Sequence, residues 1–193
     1  MVSRLENIKS WAVTSAPAVE PVSASEVKTW LKITSSADDS LISSLIIAAR
    51  QAAENYCNIK LISQTIAEYW SAFPDRRGEI VLRFPLVSAI SSVAYVDVDG
   101  ANQTFSTYNA DLSGIPPRLW PNAATEWPEN KEQLKAVTIT YVCGYANAAA
   151  VPDAIKTAIY LMIGRWEQNR EDTVKMMPTA AENLLNPYRV QLL

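Results

Sequence analysis

The sequence predicts an α+β protein: a helical bundle of two long and two shorter helices, carrying an antiparallel β-rich insertion. Three observations predict it. Apolar residues recur at helical spacing up to Cys57 and again from Pro152 onward. Between those stretches the apolar period shifts to two, as in strands. The same middle stretch is broken repeatedly by Pro, Gly and Asp, the residues that turn a chain. The implied organisation is an N-terminal arm (1–20), a helical bundle (21–63 and 146–186), a β-rich insertion (64–145) and a C-terminal tail (187–193).

Residues 1–20 carry little pattern and read as an arm. The first helix is announced by Ser23 as N-cap with Glu26 three residues on, and Val22 is placed to staple onto Val27. Val27, Trp30 and Leu31 then fall on one face and read as core. A second start follows at Ser36, with Asp38 and Asp39 where the positive helix end favours carboxylates. Ile42, Leu45, Ile46, Ala49, Ala53 and Tyr56 continue its apolar stripe. Strands are predicted over 65–71, 79–84, 92–98, 104–108 and 137–142, with Asp99-Gly100 as a hairpin turn. Residues 113–130 hold Pro116, Pro117, Pro121, Pro128, Trp120 and Trp127 and read as a long ordered loop. Pro152 and Asp153 suit the first turn of another helix, whose stripe is Ile155, Ile159, Met162 and Trp166. Gly164 inside it implies close approach of a neighbouring backbone. Thr179 with Glu182 reads as a last capping box, and Pro187 stops that helix.

Composition narrows the function classes. At 193 residues, 49% hydrophobic and 19% charged, the chain has the makeup of an ordinary globular protein. It contains no histidine, the side chain best suited to proton transfer near neutral pH and the commonest metal ligand. The net charge is −3, and the 17 Lys and Arg are scattered, whereas a phosphate-gripping protein needs a basic face. No stretch approaches a membrane span, and the first residues lack the apolar core of a signal peptide. Cys57 and Cys143 stand far apart in no metal-ligand spacing and read as buried hydrophobes of a reducing cytosol.

Candidate chemistry is sparse. Asp97, Asp99 and Gly100 resemble the start of a calcium loop, but the later ligands are missing, so a turn is the better reading. Asp38 and Asp39 are explained as helix-start residues, and Arg76-Arg77 beside Gly78 as a solvated hairpin tip. Five glycines in the whole chain leave no phosphate-cradling loop, and no Ser, Cys or Lys lies in a nucleophile motif. No catalytic, cofactor-binding or metal-ligating residue is therefore assigned, and no cofactor. Trp11, Trp120 and Trp127 are instead candidates for a protein interface, where tryptophan is enriched. Tyr188, Val190, Leu192 and Leu193, beyond the last helix stop, are too few to bury their own apolar surface; with Arg189 they are candidates for docking into a partner.

The ordered set of motifs resembles the phage head–tail connector family, the head-completion adaptors that bind below the portal. The resemblance rests on Pro21-Val22-Ser23 leading into Glu26-Val27, on Asp38 to Ile42, on Ala48 to Glu54 and on Leu61 to Thr65. It continues in Val137 to Tyr141, Gly144-Tyr145, Val151-Pro152, Ala154 to Lys156, Trp166 to Glu171 and Leu184 to Arg189. It implies a virion neck protein, made in the bacterial host cytoplasm. Copies would form a homo-oligomeric ring, typically of twelve, between the portal protein and a stopper or tail-completion protein. That ring would extend the DNA channel and complete the head after packaging. DNA would pass through the lumen without sequence-specific binding, no membrane would be involved, and no catalytic residue is transferred. The family's habit of C-terminal portal contact points to Tyr188, Arg189, Val190, Leu192 and Leu193. Two alternatives compete: another neck, tail-completion or minor tail structural protein, and a small carboxylate enzyme whose acidic side chains converge in a pocket.

Overall fold

A computed structural model describes residues 9–169 and 177–191, which form two compact units. One unit is helical and comprises Pro17–Ser63 with the described residues from Tyr145 onward; the other is built of strands, from the described residues up to Ala16 and from Gln64–Gly144.

In the helical unit, α1 (Ala24–Leu31) begins as its sequence dictates. Ser23 Oγ accepts from the Glu26 amide at 3.2 Å, and Glu26 Oε2 accepts from the Ser23 amide at 2.7 Å, completing the capping box. Val22 and Val27 are both buried beside this start. α2 (Asp39–Cys57) opens after Asp38 rather than at Ser36, and α1 and α2 each end on a left-handed residue, Lys32 and Asn58. α3 spans Asp153–Gln168 and α4 spans Thr179–Leu185. Ile42, Ile46, Ala49 and Ala53 of α2 share one buried cluster with Ile155, Ile159 and Met162 of α3 and with Ala181 and Leu185 of α4. The alanines let α2 and α3 approach closely, while the branched residues fill the space between.

Three expectations for this unit are corrected. Trp30 is not core: it is 51% exposed, because α1 ends one residue later and only Val27 of that helix is fully buried. What Gly164 admits is a side chain, since a Cβ there would lie 3.2 Å from Leu31 Cδ2. α4 follows Pro178 at its N-cap position, with no side-chain cap bond from Thr179.

The strand unit holds an antiparallel five-stranded sheet ordered β1-β2-β8-β4-β5 and a three-stranded sheet ordered β3-β7-β6. The strands are β1 (Ser10–Ser15), β2 (Gln64–Trp70), β3 (Ile80–Val81), β4 (Val87–Val96), β5 (Asn102–Thr104), β6 (Tyr108–Asp111), β7 (Arg118–Pro121) and β8 (Val137–Cys143). Ile66, Trp70, Val93, Ile139 and Tyr141 of the larger sheet and Ile80 and Leu119 of the smaller one meet in one core. Two elements depart from the sequence expectation. Ser10–Ser15, within the supposed arm, pairs along β2 in register from Ser10 opposite Tyr69 to Ser15 opposite Thr65. The supposed long loop contains β7, paired with both β3 and β6, while residues 105–107, read as part of a strand, lie between β5 and β6.

Candidate interface surfaces

The acidic and basic residues fall into two groups, those used inside a unit and those left exposed on it. In the helical unit Glu54 is buried. Its carboxylate meets Arg50 Nη1 and Lys60 Nζ at 3.3 Å each and accepts from the Leu61 amide at 3.0 Å. Arg50 Nε also reaches Glu20 at 2.7 Å. Two buried cations with their anions make a satisfied network that fixes where the chain leaves α2. In the strand unit Glu68 is buried, accepting from the Arg83 amide at 2.7 Å and from the Tyr141 hydroxyl. Burial pushes the Glu68 carboxyl above its ordinary value, outweighing the bonds from Tyr141 and Arg83 that favour its charge. Burial, with Glu68 beside it, likewise raises the Tyr141 hydroxyl.

The other groups singled out in the sequence have structural employment. Asp97 accepts from the amides of Asp99 (3.1 Å) and Ala101 (2.8 Å) and from Gln103 Nε2 (2.9 Å), closing the β4–β5 hairpin. The Gln103 bond, then the amides, holds its carboxyl below the usual range. Asp39 pairs with Lys28 at 2.7 Å. Cys57 and Cys143 are buried in different units, and burial pushes the Cys57 thiol up to about 11. A cleft of about 720 Å³ in the strand unit is rimmed by Asp75, Glu126, Glu129 and Glu132, all exposed, so solvent faces each carboxylate.

The interface candidates are distributed unevenly. Trp127 is committed to the core: its ring stacks on Phe73 at 4.9 Å and its Nε1 donates to Gly78 O at 2.7 Å. Trp120 lies half-buried in β7. Trp11 stands on β1, 38% exposed, its ring edge against Phe84 at 5.0 Å and the Arg83 guanidinium 5.6 Å from its centroid. Trp30, which the sequence placed in the core, stacks on Tyr160 at 5.4 Å over a groove of about 400 Å³ lined by Gly164, Arg165 and Pro178. The available signal was the length of α1, since two turns cannot bury Val27, Trp30 and Leu31 alike.

The described tail folds back on its own unit. The Val190 amide donates to Cys57 O at 2.8 Å, and Asn58 Nδ2 donates to Val190 O at 3.0 Å. Tyr188 and Val190 are half-buried against the helical cluster. The premise that the tail cannot bury its apolar side chains is therefore overturned for these two residues. Arg189 is exposed, its guanidinium 5.3 Å from the Tyr56 ring centroid. Leu192 and Leu193 lie outside the described residues.

A family model described as "Head completion protein" matches residues 20–190. Among solved structures, a chain from the neck of an empty gene transfer agent particle, computed with C6 symmetry, superposes with a TM-score of 0.80 at 20% identity, over 95% of this chain and 97% of that one. A chain from the virion of the native gene transfer agent particle gives 0.74 at 20% identity, over 95% and 96%. A chain from the neck of the native particle, computed with C12 symmetry, gives 0.67 at 18% identity, over 93% and 97%. At such identities the likeness is one of fold. No curated protein sequence matches this chain.

Proposed function

We propose a function from the premise that this chain belongs to the head completion protein family. It acts as a structural adaptor of a virion neck: copies form a ring between the portal and a stopper or tail-completion protein, extend the DNA channel and complete the head after packaging. The observation that carries this is the family match over residues 20–190, which spans both units. The fold supports it, since the similar chains come from necks and virions of gene transfer agent particles. The buried carboxylates Glu54 and Glu68 are each bonded within their own core, as structural groups are. A mildly acidic conduit wall also lets duplex DNA pass without adhering to it.

The finer parts of the reading follow. The helical unit is a bundle of two long and two short helices into which the strand unit is inserted, the ring holds twelve copies, and the C-terminal segment docks on the portal. Deleting the gene tests the whole. Capsids should assemble and package DNA yet fail to join tails, visible as full, tailless heads by electron microscopy. Tailed, infectious particles lacking the protein would exclude the reading.

A further inference from the structure

Among the described residues, both lateral edges of the five-stranded sheet lack a full-length strand partner. β1 is bonded to β2 on one side and, among the described residues, to no strand on the other. At the opposite edge β4 is bonded to β8 along its length, but β5 covers only Ala94–Val96, and the Phe105 amide reaches back no further than Val93 O. Among the described residues, the stretch Val87–Ser92 therefore has no strand paired on its outer side. Natural edges are usually blunted by charged residues or proline. Neither Ser10–Ser15 (SWAVTS) nor Val87–Ser92 (VSAISS) contains one, in a chain that is 19% charged. Core-side residues at these edges are also incompletely covered. Trp11 and Val13, opposite the buried Glu68 and Ile66, are 38% and 41% exposed, and Ile90 at the far edge is half-buried. Bulges interrupt the register at Thr14, Ser88 and Ser91. The Thr14 and Ser88 hydroxyls turn inward to Thr65 O and Val142 O, so these bulges bond to the strand behind them and leave the outward backbone groups open.

We propose that β1 of one copy adds antiparallel to the open half of β4 in the next copy, joining neighbours in the ring by a shared sheet. This rests on the ring reading given above. A ring needs a head-to-tail contact between two different patches of the same chain, and opposite edges of one sheet are such a pair. Strand direction agrees. Four antiparallel steps run β1, β2, β8, β4, β5, so β1 and β4 point opposite ways. A small rotation about a ring axis preserves that opposition, and the incoming β1 runs in line with β5, in the gap that β5 leaves. Each open stretch is six residues long, so the lengths match. Main-chain bonds would supply affinity, and cover over Trp11 and Val13 would add apolar burial.

The test uses the full chain, alone and with portal protein, its assembly followed by native mass spectrometry. On assembly, backbone amides within 10–15 and 87–92 should slow in hydrogen exchange together, by about tenfold or more. The substitutions Val13→Lys and Ser91→Glu should each reduce assembly while the dissociated chain still unfolds in a single cooperative transition. The double variant V13K/S91E, which places opposite charges across the contact, should restore it. Rings whose two edges exchange as fast as in the dissociated chain would overturn the contact and leave the ring standing. Slowing confined to 10–15, or single variants that assemble normally, would also overturn it. Failure to assemble under either condition would remove the ring reading and this contact together.

Discussion

Glu68 sits on β2 between Ile66 and Trp70, whose side chains point to the same face, so its burial was legible in the alternation of the strand. What the alternation does not reveal is the partner. Tyr141 comes from a strand more than seventy residues away; the β2–β8 register sets it opposite Ile66, diagonal to Glu68 and within reach of its carboxyl. Because its folded pKa is raised, Glu68 favours the folded state fully below the unfolded carboxyl value of about 4.3, and that contribution is lost as pH rises toward the folded value. Glu68→Gln keeps an oxygen to accept from Tyr141 and Arg83 but cannot ionise. Its stability relative to wild type should therefore increase from about pH 4.5 upward, as read from urea melts across pH. A constant difference would place the charge elsewhere. Glu54 makes a different case, because its carboxylate lies between two buried cations. Glu54→Ala leaves Arg50 and Lys60 buried without their shared anion, and should cost about 3–5 kcal/mol in denaturant unfolding. No sequence rule pointed to that network, since Arg50 and Glu54 at i, i+4 read equally well as a solvated helix face.

Elements were legible where a local rule fixes them. The capping box at Ser23 is local chemistry, and it forms as the spacing dictates. Removing it by Ser23→Ala should lower stability by about 1 kcal/mol, with no change in the spectroscopic helix content of the folded state; an unchanged melt would mean that the Val22–Val27 contact alone sets the helix start. The C-terminal ends carry a different signature. Lys32 is held at φ 56°, a region that a side chain tolerates poorly. Lys32→Gly should accordingly stabilise by about 0.5–1 kcal/mol despite its entropic cost, measurable as a higher melting temperature. Elements were illegible where tertiary pairing decides. Ser10–Ser15 shows no strand alternation in its burial, being exposed on nearly every residue, and becomes a strand because β2 offers a free edge. β7 is four residues including Pro121, a composition that reads as loop until β3 and β6 flank it. Trp127 follows the same logic, since its burial depends on Phe73, distant in sequence and adjacent in space.

For the whole molecule, net charge and the C-terminal segment are where the proposed function can be tested. A net charge of −3 with no basic run predicts binding to duplex DNA weaker than about 10⁻⁴ M at physiological salt, measurable by fluorescence anisotropy; tight, salt-sensitive binding would recast the chain as a DNA clamp rather than a conduit. The C-terminal segment was read as a free apolar hook, and the described part of it is instead anchored, through Val190 to Cys57 and Asn58 and through Tyr56 Oη to Asn186 Oδ1 at 2.6 Å. Truncation after Asn186 would therefore remove half-buried Tyr188 and Val190 and destabilise the helical unit by about 2–3 kcal/mol, confounding any portal-binding measurement. Arg189 separates the two effects. Its side chain is exposed, with the guanidinium over the Tyr56 ring, so Arg189→Glu should shift the melting temperature little. A guanidinium presented there is suited to a bidentate carboxylate on a docking partner, and the charge reversal would turn that contact repulsive in every copy of a ring. Portal pull-down by R189E should fall at least tenfold while the circular dichroism and melt stay near wild type. Full retention of binding by this variant would move the portal contact off the C-terminal segment, leaving the exposed Trp30–Tyr160 stack as the next surface of the helical unit to test.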